Sequence, residues 1–177
     1  MLAMKVKNVK ERYVTARKTD VKRRSGFSLV ELMIAIAILG ILASISSFAW
    51  QRYVTNTNLR TATRELEADF FLIKERSVSE KVQWRITLTA GANSSYDIEQ
   101  GTAAGAPFTV IQTKSPASFG SGSYILDTTF GSSQITFLPR GTLSGSTGTV
   151  RLKNSRNSIA TITINITGRT HVKFEMQ

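Results

Sequence analysis

Residues 27 to 49 read FSLVELMIAIAILGILASISSFA, and the 19 residues from Leu32 to Trp50 carry no charge. As a helix rising about 1.5 Å per residue, Phe27 to Ala49 covers roughly 34 Å, enough for a hydrocarbon layer of about 30 Å. The stretch predicts a membrane span over 27–50. Residues 1–26 hold nine of the chain's 23 cations and only two of its 12 acids, whereas Arg52 stands alone just after the span. By the positive-inside rule the N-terminus is cytoplasmic and everything beyond the span is exported. The formal net charge of +11, which on its own suggests nucleic acid or anionic lipid as a partner, is concentrated in this leader. The remainder carries 14 cations against ten acids.

The amphipathic pattern continues past the span. Leu59, Ala62, Leu66, Phe70 and Ile73 recur at steps of three and four, and no proline occurs before Pro107. One helix from Phe27 to Lys81 is therefore expected, its second half (51–81) turning one apolar face toward a head. Arg60, Arg64, Glu67, Lys74 and Glu75 read as a solvated face or as contacts with neighbouring subunits. Beyond Lys81 lie ten of the 12 glycines, and the apolar period shortens to two. Trp84, Ile86 and Leu88 alternate with Gln83, Arg85 and Thr87, and Ile162, Ile164 and Ile166 alternate with Thr161, Thr163 and Asn165. Further strands are expected near Tyr96–Glu99, Phe108–Gln112, Tyr124–Asp127, Gln134–Leu138, Thr149–Lys153 and Arg169–Phe174. Loops rich in Gly, Ser, Asn and Pro join them at 90–94, 101–107, 115–123 and 141–148. The last, GTLSGSTG, lacks the Gly-Lys-Ser/Thr of a phosphate-binding loop and reads as a hairpin loop. The fold class is α+β: a long N-terminal helix, transmembrane in its first half, packed on a C-terminal antiparallel β-sheet head spanning 82–177.

The residues before and into the span form a pattern: Arg23 and Arg24, then Gly26 and Phe27, then Glu31 five positions into the apolar run. A carboxylate at mid-membrane depth is disfavoured by about 2.5 kcal/mol or more. Glu31 either reaches the headgroups or has a partner. The run Gly26-Phe27-Ser28-Leu29-Val30-Glu31-Leu32 resembles the N-terminal signature of type IV pilin-like proteins. That resemblance implies cleavage after Gly26 by a prepilin peptidase/N-methyltransferase, removing the basic leader 1–26, and N-methylation of Phe27. The freed α-amine, with an ordinary pKa of about 7.7–8.0, is substantially cationic near neutrality. In a filament it can meet the Glu31 carboxylate of a neighbouring subunit, each charge lowering the other's desolvation cost. Glu31 is thus the expected assembly residue, with other pseudopilins or minor pilins and inner-membrane lipid as partners. Pilin-like helices often carry a proline 22 residues into the mature chain. Here that position is Phe48, with Ser44, Ser46 and Ser47 nearby to loosen the helix by bonding back to carbonyls.

Phe137-Leu138-Pro139-Arg140-Gly141, the β-rich stretch through Ile162-Thr163-Ile164, and Gly168-Arg169 resemble the GspH/FimT family of minor pseudopilins and minor pilins. The resemblance implies a minor pseudopilin of a type II secretion system, a single-pass subunit of the bacterial inner membrane with a periplasmic head. Glu31 argues against the tip pseudopilin type, which commonly lacks the acid. The alternative is a FimT-type minor pilin binding DNA during natural transformation. Such pilins carry Gly-Arg-x-Arg near the C-terminus, where this chain has Gly168-Arg169-Thr170-His171. Period-two geometry puts Arg169, His171 and Lys173 on one strand face and Arg151 and Lys153 on another. Should the two faces coincide, they form a patch able to contact phosphates; otherwise they are a solvated face or a protein contact. With His171 the single histidine, no cysteine and four scattered head acids, the chain offers no nucleophile–base pair and no metal cluster. Neither an enzyme nor a cofactor is expected.

Overall fold

The computed structural model describes residues 26–177, and at 45–49 the backbone alone. The leader up to Ser25 and the side chains of Ser46, Ser47 and Phe48 thus lie outside the described residues. The chain divides into two units, 1–41 and 42–177. Helix α1, Leu29–Glu80, runs through 52 residues. Within the first unit its described side chains are all exposed and apolar on every side apart from Glu31. Among the described residues no helix is long and apolar enough to cross a membrane. The span expected over 27–50 includes residues whose side chains are not described, and it stands as a proposal.

In the second unit, the predicted stripe Leu59, Ala62, Leu66, Phe70 and Ile73 is wholly buried. α1 ends at Glu80, one residue earlier than expected, because Lys81 takes a left-handed conformation (φ 59°) that breaks the helical path. Eight strands follow: β1 Trp84–Thr89, β2 Ser95–Thr102, β3 Gly105–Lys114, β4 Ser123–Thr128, β5 Gln134–Phe137, β6 Gly148–Asn154, β7 Ile159–Ile164 and β8 Thr170–Glu175, with a short helix α2, Pro116–Phe119, before β4. They form two four-stranded antiparallel sheets, ordered β3-β2-β1-β5 and β4-β6-β7-β8. The α+β class holds. Alternation explains the packing: Trp84, Ile86 and Leu88 of β1, Val150 and Leu152 of β6, and Ala160, Ile162 and Ile164 of β7 point inward to one cluster with the helix stripe.

Two loop expectations change. The 101–107 connection shrinks to a tight turn, since β2 extends to Thr102 and β3 starts at Gly105. Residues 141–148 are not a hairpin loop, because β5 and β6 belong to different sheets. Instead Leu143 folds back to bridge Phe137 and buries its side chain, and the chain then crosses to the second sheet. Apolar burial at Leu143, inside an otherwise polar run, decides that path.

The head approaches the helix closely at Gly120, where a Cβ would stand 2.0 Å from the carbonyl oxygen of Asn58. Only glycine fits there. At Gly168 (φ 69°) a Cβ would meet the Gly141 carbonyl oxygen at 2.8 Å, with Lys74 and Phe137 close behind.

Candidate functional site

Gly26 and Phe27, where processing is expected, lie before the helix. Among the described residues, a Cβ on Gly26 would meet nothing within 4 Å, and Phe27 is 82% exposed. Glu31 sits in the first turn of α1, exposed, where a carboxylate complements the positive end of the helix dipole.

The expected basic patch is largely assembled by the second sheet. Register places Arg151 across from Thr161 and Thr161 across from Lys173, while Thr149, Thr163 and His171 form the neighbouring row. Val150, Leu152 and Ile162 face the core, so Arg151, Lys153, His171 and Lys173 share the outer face. Arg169 does not join the strand. It closes the turn into β8, where Asn165 Oδ1 accepts the Arg169 N–H at 2.9 Å, and it is exposed.

Two carboxylates occupy the same face. Arg151 donates two hydrogen bonds to Asp127 across β4 and β6, and Lys173 pairs with Glu175 at 2.8 Å. The Arg151 hydrogen bond holds Asp127 below the usual carboxylate range and raises Arg151 in turn. The Lys173 hydrogen bond likewise lowers Glu175. Of the three lysine and arginine cations on this face, Arg151 and Lys173 are thereby neutralised at contact distance. The sequence carried both acids, but the Arg151–Asp127 pairing depends on a register shift in β4 between Ile125 and Asp127 that periodicity does not reveal.

Helix and head are joined by polar groups that the sequence reading missed. Asp69, only 4% exposed, receives Lys114 Nζ at 2.7 and 2.9 Å and the Tyr96 hydroxyl at 2.7 Å. Burial, then the hydrogen bond to Asp69, pushes the Tyr96 phenol far above its ordinary value. A signal was available, since Asp69 lies three residues after Leu66 and four before Ile73, inside the apolar stripe. Asn154, at the end of β6, is the second tie. Its Nδ2 donates to the Thr55 carbonyl (3.3 Å) and to Asn56 Oδ1 (3.1 Å), while its Oδ1 accepts the N–H groups of Arg156 and Ser158. Glu67 and Lys74, expected on other faces, also reach the head, through Thr170 and the Gly168 carbonyl. On the first sheet, Arg85 binds Glu99 on the neighbouring strand and lies 3.9 Å over the Phe108 ring. Among the described residues no three of His, Asp or Glu converge to hold a metal ion.

A long N-terminal helix carrying an antiparallel two-sheet head defines a pilin-like protein, and solved structures of that class share the fold. The minor pseudopilin EpsH from the type 2 secretion system of Vibrio cholerae aligns with a TM-score of 0.53 at 12% identity, over 66% of this chain and 97% of that one. The type IV minor pilin FimU of Pseudomonas aeruginosa aligns at 0.52 with 17% identity, over 68% and 92%. At these identities the likeness is one of fold. Residues 21–47 match the prokaryotic N-terminal methylation motif, and residues 62–168 match the type II transport protein GspH model. The chain belongs to the GspH family. Curated relatives match over short stretches: a fimbrial protein of Pseudomonas aeruginosa at 45% identity over 47 residues (27% of this chain, 30% of that one) and a type IV major alpha-pilin of Moraxella bovis at 47% over 45 residues (25% and 28%). The match thus spans less than a third of those relatives' length.

Proposed function

We propose that the chain is a minor pseudopilin, a structural subunit that is anchored in the inner membrane by residues 27–50, is cut between Gly26 and Phe27, and joins a short periplasmic filament driving protein secretion. The single observation carrying this reading is the coexistence in one chain of the methylation motif and the GspH domain on one continuous helix. The exposed start of α1, apolar on every side apart from Glu31, supports it, because such a helix requires lipid or other helices around it. Prepilin peptidase/N-methyltransferase and the other pseudopilins are the partners. Within the bilayer the Phe27 amine and a neighbour's Glu31 neutralise each other, which sets the stagger between subunits.

Glu31→Gln tests the assembly role. The variant is expected to be inserted and processed normally but to co-purify poorly with other filament subunits, and normal co-purification would remove the role. Deleting the gene is expected to stop release of secreted proteins while leaving natural transformation intact; the reverse phenotype would move the chain to a pilus.

That second reading, a minor pilin contacting DNA, is favoured by the shared face of Arg151, Lys153, His171 and Lys173, with Arg169 at its edge. It stands second because Asp127 and Glu175 already bind two of those cations. A salt-dependent DNA shift assay comparing wild type with Arg169→Ala decides it, and absence of binding at low salt ends it.

A further inference from the structure

Near the N-terminal end of the helix's head-bound half, a groove of about 580 Å³ opens between α1 and the tip of the β6–β7 turn. Arg52 and Arg60 line it from the helix and Arg156 from the turn, with Tyr53, Thr57 and Met176 between them. All three arginines are exposed, and among the described residues no carboxylate lies within ion-pair distance of any of them.

The placement is built rather than incidental. Asn154, fully buried, fixes the turn through the Arg156 and Ser158 N–H groups and ties it to α1 through Thr55 and Asn56. The Arg60 Cζ lies over the Phe174 ring, 5.6 Å from its centroid. Asn56, which also lines the groove, donates to the Gln177 carbonyl at 3.3 Å. An arginine fork fits two oxygens of a tetrahedral anion, so the chemistry such a set recognises is a phosphate group.

The neighbouring residues identify its source. Trp50 and Tyr53, both largely exposed and with ring centroids 6.2 Å apart, stand where the uncharged stretch ends. Paired aromatics at the edge of an apolar segment sit at the headgroup level of a bilayer, and cations beside them meet lipid phosphates.

We propose that the Arg52–Arg60–Arg156 groove binds the phosphate of an anionic phospholipid on the periplasmic leaflet and holds the head against the membrane before the subunit enters a filament. This inference rests on the membrane-anchored reading of residues 27–50.

The test uses the full chain extracted from membranes in detergent, with native mass spectrometry counting bound phosphatidylglycerol and phosphatidylcholine. Wild type is expected to retain phosphatidylglycerol preferentially. Arg52→Gln, Arg60→Gln and Arg156→Gln should each weaken that retention about fivefold, the equivalent of roughly 1 kcal/mol per cation at an anionic surface. The triple variant should show no preference, while Arg64→Gln and Arg140→Gln, outside the groove, should behave as wild type. Unchanged near-ultraviolet circular dichroism confirms that the variants fold. No preference in wild type, or full preference in the triple variant, overturns the proposal. So does displacement of the lipid by excess inorganic phosphate, which assigns the groove to free phosphate. A photocrosslinker at position 156 that captures a protein rather than lipid in native membranes also overturns it, in favour of another subunit. Carbonate extraction of the same membranes reports the anchoring separately: a pelleted chain without lipid preference sinks the groove alone, whereas a chain released to the aqueous phase sinks the anchored reading.

Discussion

Replacing Lys114 by methionine isolates the tie between helix and head. The change keeps most of the side chain's apolar stem but leaves the Asp69 carboxylate, 6% exposed as a side chain, with only the Tyr96 hydroxyl of its three hydrogen bonds. Removing one partner of a buried pair costs about 3–5 kcal/mol. The low end applies here, because the Lys114 side chain keeps 18% exposure and Tyr96 still donates. Lys114→Met is thus expected to lose about 3 kcal/mol. Adding Asp69→Asn removes the stranded charge and keeps an acceptor for Tyr96, so the double variant is expected to lie only about 1 kcal/mol below wild type, the worth of an ordinary hydrogen bond. Urea titration of the full chain in detergent micelles, followed by near-ultraviolet circular dichroism of the head, measures each corner of the cycle. The double variant must be more stable than Lys114→Met alone. If Lys114→Met costs less than about 1 kcal/mol, or the two changes simply add, Asp69 is not a charge held by its lysine and the reasoning fails.

Tyr96 predicts alkaline instability. Its folded pKa is raised, so the native state keeps a proton that the unfolded chain releases above pH of about 10; the contribution is complete below that pH and is lost above it at about 1.4 kcal/mol per pH unit. Stability measured from pH 9 upward should fall more steeply in wild type than in Tyr96→Phe, and identical slopes would contradict the assignment. Gly120→Ala forces a methyl group into the Asn58 carbonyl and is expected to cost about 3 kcal/mol, as overpacking of a closed contact does. Gly131→Ala, with open space around it, should change the urea midpoint hardly at all, and equal effects of the two would mean that the head does not depend on this close approach.

What was legible in the sequence follows from periodicity. The stripe from Leu59 to Ile73 and the alternation in β1, β6 and β7 are local patterns, and burial followed them except at Ile166, which lies beyond the end of β7 and is exposed. The division into two sheets was not legible, because it depends on which edges pair. Nothing local in 141–148 says that Leu143 is buried while its neighbours stay polar. The basic face was foreseen by parity, but its neutralisation was not, since Asp127 reaches Arg151 only through a bulge. Asp69 was overlooked for a different reason: an acid in an apolar stripe reads as an interruption until Lys114, 45 residues away, is brought beside it. The arginine groove draws on positions 52, 60 and 156, a combination that exists only once the β6–β7 turn is docked on the helix.

The account's core is that a peptidase turns an inserted precursor into an assembling subunit by exposing the Phe27 amine beside Glu31. Mass spectrometry of the protein extracted from cells that express the peptidase tests this most directly. The predicted species begins at Phe27 and carries one added methyl group on its N-terminal nitrogen. A chain in which the Gly26–Phe27 bond is intact would contradict it.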